Sequence, residues 1–280
     1  MPALNYGVEI TSTGTFLAGD GPIVAGALAA LGRDPILLTN AVGDDPQGRR
    51  ITERLRTWGV TAPASAAGSQ TMVNTVICDD AGNRTWFSGL RGIGATLDGL
   101  DLTVLDQVET AYIDCYEVLG DTPRRVFDAA QARGIGVYIN LGGGPLPPWM
   151  NTSATTRARV VQTNAPRNDH DTARRLALEL AQADVADIAV VTAGELGAYA
   201  AQRPGDTVIH APAIEVAVRQ VQGAGSVFSA ALLDGLLSSR PLNEAIRRAC
   251  TAGSLWCART EDDPFPTGTD LSSTPTARAS

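Results

Sequence analysis

Residues 160–192 read VVQTNAPRNDHDTARRLALELAQADVADIAVVT, and this stretch decides the fold. Val160 to Thr163 is a short apolar, β-branched run. Asp171 to Ala183 then carries apolar side chains at helical spacing, and Ile188 to Thr192 returns to a strand pattern. Strand, helix, strand with no alternation of polar residues in the strands predicts parallel strands buried on both faces.

The same alternation extends in both directions. Towards the N-terminus lie a strand over Ala111 to Cys115, a helix over Thr122 to Arg133, a strand over Val137 to Asn140 and a Gly/Pro loop over Gly142 to Pro148. Earlier still, Gly21 to Leu31 is an Ala-rich helix closed by Gly32, Pro35 to Asn40 reads as a strand, and Arg50 to Trp58 is a helix closed by Gly59. Val73 to Cys78 and Arg84 to Ser88 are β-prone runs joined by the turn residues Asp79 to Asn83, a hairpin able to project as a flap. Towards the C-terminus, a hairpin over Ala198 to Ile209 precedes helices over Ser226 to Leu237 and Leu242 to Ala258, and the Pro/Ser/Thr-rich tail after Asp262 reads as a partly ordered strap.

Composition narrows the chemistry. The net charge of −8 disfavours nucleic acid and anionic membrane surfaces, which leaves a small-molecule ligand as the expectation. No apolar run is long enough to span a bilayer and no secretory pattern opens the sequence, so a cytoplasmic location is expected. All 22 basic residues are arginine. Without lysine there is no Walker-type P-loop, Schiff base or pyridoxal phosphate attachment. The two histidines, His170 and His210, read as surface or loop residues, and the four cysteines read as buried thiols.

In such a sheet, ligands gather beyond the carboxyl ends of the strands. Gly223-Ala224-Gly225 opens a helix, and its backbone N–H groups and the helix dipole form an anion cradle. Thr192, Gly194 and Gly197, within Val191 to Gly197, end another strand with a hydroxyl donor and two turn glycines. In Gly43-Asp44-Asp45-Pro46, Asp45 suits an N-cap ahead of Pro46.

Taken in order, these segments resemble the PfkB or ribokinase-like carbohydrate kinase family from about Ala18 to Thr267. The family's Gly-rich run, Ala-rich helix and GDDxxG stand here as AGDGPIVAGALAALGRDPILLTNAVGDDPQG, its DTxGAGD as QVQGAGS, and its VTxGxxG as VTAGELG. The resemblance implies one ribokinase-like α/β domain over residues 1–280, with a mostly parallel sheet, helices on both faces and a small β-lid formed by about 6–17 and 73–88. It implies a cofactor site for ATP or another phosphate-bearing ligand at Gly223, Ala224, Gly225, Thr192, Gly194, Gly197, Asn164 and Arg167. It also implies a substrate site at Asp20, Gly21, Ile23, Gly43 and Asp44.

The departures fall on the chemistry. The family's general base, the last Asp of DTxGAGD, is Ser226, and the motif's first acid is Gln220. The acid of NxxE, which the family uses near magnesium, is Arg167, so a metal site is not expected; a sugar-binding asparagine is Ile23. A serine hydroxyl cannot take a proton at neutral pH without a base of its own. The expectation is a nucleotide, sugar or sugar phosphate binder whose phosphotransfer is lost or strongly reduced. An active kinase of an unusual sugar or nucleoside, and an enzyme of another class acting on a phosphorylated or nucleoside-like molecule, stand as alternatives. The family's first strand is also absent from the pattern, and a homodimer through the lid or an exposed sheet edge would cover the gap.

Overall fold

A computed structural model describes residues 6–61, 70–78, 84–89, 92–151, 157–166, 169–260 and 263–272. Its centre is a six-stranded sheet in the order β3 (Thr110–Asp114), β4 (Gly136–Asn140), β5 (Ala158–Asn164), β6 (Ala186–Thr192), β7 (Ala198–Gln202), β8 (Val208–Ala211). Strands β3 to β6 run parallel, and β7 and β8 close the far edge antiparallel. The expected α/β class and mostly parallel sheet are thus present.

Successive residues of each central strand feed two different cores, as the pleat requires. Tyr138, Val160, Ile188 and Val190 face a core built with helices α1 (Asp20–Ala30), α6 (Ala224–Leu237) and α7 (Leu242–Cys257). Val137, Ile139 and Val161 face α4 (Thr122–Gln131), while Ala189 and Val191 face α5 (His170–Gln182). Helix α6 is apolar all round and is buried from Ser226 to Leu236, the pattern of a helix packed on every side. Truncating a fully buried anchor such as Leu232 to alanine costs about 2–5 kcal/mol.

Helix α2 (Pro46–Thr57) begins as the sequence suggests: Asp45 is the N-cap, its carboxylate accepting from Gly48 N at 2.7 Å, with Pro46 in the first turn. The carboxylate also accepts from Thr71, and these hydrogen bonds hold it below the usual aspartate range. The hairpin forms as β1 (Asn74–Cys78) paired with β2 (Arg84–Ser88). A short helix, α3 (Ile93–Asp98), follows it.

Two expectations need correction. Pro35 to Asn40 is not a strand: residues 33–41 carry no ladder, and only Val42 makes an isolated bridge. The apolar run is there, but it makes no ladder with the free edge of β3 or with any other described strand, and without a ladder it is not a strand. Residues 6–19 likewise contain no strand, with Tyr6, Val8 and Ile10 exposed, so the expected lid strand over 6–17 has no partner that would make it one. The C-terminal strap is pinned: Phe265 stacks on Trp256 at 4.9 Å and Leu271 is buried. The hairpin turn Asp79 to Asn83 and Arg167 lie outside the described residues.

Candidate functional site

The carboxyl ends of β3, β4, β5 and β6 present Asp114, Asn140, Asn164 and Thr192 in a polar row, the last residue of each strand. Opposite them come the N-termini of α1 and α6. Helix α6 starts at Gly223, in the left-handed region at φ 80°, where any Cβ would sit 2.9 Å from Ile23 Cδ1 and 3.3 Å from Trp256 Nε1. The indole N–H donates to the Gln222 carbonyl at 2.6 Å and fixes the approach. No side chain caps α6, and a Cβ on Gly225 would meet open space. Free N–H groups beside open space at a helix N-terminus suit a phosphate.

Ser226 lies in the first turn of α6 and is 2% exposed. Its hydroxyl donates to Asp20 Oδ1 at 2.5 Å. Asp20 is the first residue of α1, where a carboxylate is favoured by the helix dipole. The other oxygen of Asp20 accepts from the Tyr116 hydroxyl. Asn140 Nδ2 donates to Asp114 Oδ1 at 3.1 Å and lies 3.0 Å from the Tyr116 oxygen, closing the network. Burial, together with the Asp20 charge, pushes the Asp114 carboxyl up to about 7. Two carboxyl groups, Asp20 from α1 and Asp114 from the end of β3, thus join one hydrogen-bonded network at the N-terminus of α6, and Asp20 is hydrogen-bonded to Ser226.

Thr192 Oγ1 donates to Asn164 Oδ1 at 2.8 Å across paired β5 and β6. Gly194 and Gly197 shape the following turn. Gly197 has φ 89°, and a Cβ there would lie 2.0 Å from the Ala211 carbonyl oxygen, so only glycine lets the loop press against β8. Gly21 follows Asp20, 3.7 Å from Asp114 Oδ2 measured from the place of an added Cβ.

The structure brings Asp20, Gly21, Gly223, Ala224, Gly225 and Ser226 together, with Asn164, Thr192 and the Gly194 to Gly197 turn along the same sheet edge. Ile23, Gly43 and Asp44 are engaged differently. Ile23 is 3% exposed and fills core space against Gly223. Gly43 donates its N–H to Thr71 at 3.0 Å, and exposed Asp44 pairs with Arg49 at 3.1 Å, both serving the α2 turn. Asp114, Tyr116 and Asn140 were missed from the sequence; the signal available was an acid or amide ending an otherwise apolar strand. Among the described residues, no group of three or more His, Cys, Asp or Glu side chains could hold a metal ion.

Residues 155–267 match the family model described as pfkB family carbohydrate kinase. The chain is 28% identical over 195 residues to the bifunctional protein HldE of Rhodopseudomonas palustris (strain BisA53), covering 69% of this chain and 35% of that protein. It thus spans about a third of the length of the curated relative it matches. A Burkholderia thailandensis nucleoside kinase in complex with inosine superposes with a TM-score of 0.77 at 17% identity, over 96% of this chain and 88% of that one. The Arabidopsis thaliana ribokinase complexed with ribose and ATP superposes at 0.75 and 20% identity, over 97% and 91%. A putative ribokinase II from E. coli in complex with ATP and Mg²⁺ gives 0.73 at 15% identity, over 96% and 93%. The fold is ribokinase-like, and the match to the family model falls on the C-terminal part of the chain, residues 155–267.

Proposed function

We propose that this protein binds a nucleotide and transfers its terminal phosphoryl group slowly to a hydroxyl of a nucleoside-like or sugar-like molecule, with Asp20 acting through Ser226 in place of a base on α6. The observation that carries this reading is the 2.5 Å hydrogen bond from Ser226 to Asp20 at the mouth of the glycine cradle. The fit to a phosphate rests on Gly223, the uncapped N-terminus of α6 and the Asn164 and Thr192 pair. Structural neighbours bound to ATP, ribose and inosine point to the same ligand classes.

ATP, when bound, supplies the γ-phosphoryl group. As the acceptor oxygen attacks phosphorus, its proton passes to Ser226 Oγ while the serine proton passes to Asp20 Oδ1, and the electron pair of the broken P–O bond leaves with ADP. The relay gives the serine the base it lacks. Transfer is slow because the proton must cross two hydrogen-bonded groups, and both Asp20 oxygens already accept hydroxyl donors. That same double engagement favours a second reading, a nucleotide or sugar phosphate binder with no turnover.

Loss of a general base costs about 10²–10⁴-fold in rate. ADP release from ATP, followed over a panel of nucleosides and sugars for the wild type, Asp20→Asn and Ser226→Ala, tests the assignment. Turnover that falls by that factor in both variants supports the relay, turnover indifferent to Asp20 sinks it, and ATP-dependent thermal stabilisation with no ADP selects the second reading.

The assembly expected from the sequence also belongs to this proposal. Val76, Ile77, Trp86 and Phe87 are exposed on the β1 to β2 hairpin, with Tyr6, Val8 and Ile10 exposed on the N-terminal segment. Exposed apolar surface of this kind suits a second copy of the chain, and sedimentation equilibrium reporting a monomer at micromolar concentration would refute it. No helix among the described residues is long and apolar enough to cross a membrane, which accords with a cytoplasmic protein.

A further inference from the structure

At the opposite end of the sheet, a cavity of about 370 Å³ opens between the amino ends of β5 and β6 and the turn joining α6 to α7. Two arginines line it, Arg159 from β5 and Arg240 from the turn. Among the described residues, Arg159 makes no ion pair; its one hydrogen bond is a long one, 3.4 Å to the Leu236 carbonyl. Arg240 pairs with Glu244 through one nitrogen, while its Nε is buried with no hydrogen-bond partner. Leaving a guanidinium N–H buried and unpaired costs free energy, and an acceptor that drew the Arg240 guanidinium toward the cavity would relieve that cost. Pro241 and Leu242, at the start of α7, also line the cavity.

The opposite wall differs in character. Asp187 and Gln202 contribute a carboxylate and an amide, and Asp187 is shared with Arg157 at 3.9 Å. Guanidinium forks suit a tetrahedral oxyanion, whereas the carboxylate accepts from a hydroxyl. A volume of this size holds a small metabolite rather than a single ion.

We propose that this cavity is a second ligand site, distinct from the cluster around Ser226, and that it takes a small phosphomonoester bearing a hydroxyl group, its phosphate on Arg159 and Arg240 and its hydroxyl on Asp187. The inference stands independently of any phosphotransfer. Both sites nevertheless sit on the same elements: α6 carries Ser226 near one end and Leu236 near the other, about 15 Å apart along the helix axis. Likewise β5 and β6 hold Arg159 and Asp187 near one end and Asn164 and Thr192 at the other.

The test is calorimetric titration of the full chain with inorganic phosphate and, separately, with glycerol 2-phosphate. The comparison is among the wild type, Arg159→Met and Arg240→Gln, each also titrated with ATP. Each arginine variant should bind glycerol 2-phosphate about tenfold or more weakly, the loss expected for one charge-assisted hydrogen bond, with ATP affinity unchanged. Inorganic phosphate should bind more weakly than the ester, lacking a group for Asp187. Arg159→Met guards against a folding defect in Arg240→Gln, because Arg159 holds only the one long hydrogen bond among the described residues. No detectable binding to the wild type, equal affinity in all three proteins, or a parallel loss of ATP binding would overturn the proposal.

Discussion

Replacing Ser226 by aspartate restores the acid that the family's motif carries, yet in this chain the substitution should harm before it helps. The serine oxygen lies 2.5 Å from Asp20 Oδ1, so a carboxylate built at that position meets the charge of Asp20 at hydrogen-bonding range, with Asp114 behind it. Two like charges about 4 Å apart at an effective dielectric of about 20 repel by about 4 kcal/mol, or about three pKa units. Allowing for partial solvation, a destabilisation of about 2–4 kcal/mol is expected when both are ionised, a fall in Tm of about 5–10 °C. The repulsion raises a folded-state carboxyl pKa above its unfolded value. The penalty is then absent at low pH, where the proton is retained in both states, and grows as pH rises from about 4 to about 7. Ser226→Asp should therefore unfold near the wild-type temperature at pH 5 and well below it at pH 8. Adding Asp20→Asn removes one charge and offers an amide donor to the new carboxylate. The double variant should recover the Tm at pH 8 and release ADP faster than either single variant. Thermal unfolding at the two pH values, paired with a coupled ADP assay, reads both effects. Equal stability of Ser226→Asp and wild type at pH 8, with no gain from Asp20→Asn, would refute the placement of a charged Asp20 beside position 226.

Other outcomes follow from the same geometry. Gly223→Ala forces a Cβ into a left-handed backbone and against Ile23, so it should cost about 1–3 kcal/mol in thermal or urea unfolding and abolish the stabilisation given by ATP. Asp114, whose carboxyl is pushed up to about 7, makes the fold less stable as pH rises from about 4 to about 7. Asp114→Asn mimics the neutral acid, so its stability relative to wild type should rise by about 2–3 kcal/mol between pH 5 and pH 8, as urea unfolding at the two values will report.

The sequence carried the layered architecture because each layer is a local signal. Apolar β-branched runs such as Ala189-Val190-Val191, the Asp45-Pro46 helix start and the glycine ahead of α6 each act within a few residues, and each stands where the pattern puts it. Pro35 to Asn40 failed because a strand is a property of a pair: the residues are suitable, but no neighbour completes a ladder with them. The site divides the same way. Gly223, Ser226 and Thr192 were legible from motifs. The union of Ser226 with Asp20, 206 positions apart, was not, since it depends on α1 packing beside α6. Asp114 and Asn140 escaped because the strands ending in them read as core, and only the sheet register shows their final residues side by side at the open edge.

The role proposed for Asp20, acting through Ser226, is tested most directly by initial-rate ADP formation by wild type and Asp20→Asn with saturating ATP and the best acceptor of a nucleoside and sugar panel. Wild type should turn over slowly but measurably, and the variant should fall by about 10²–10⁴-fold, with ATP still raising the Tm of both. Equal rates in the two proteins would contradict that role.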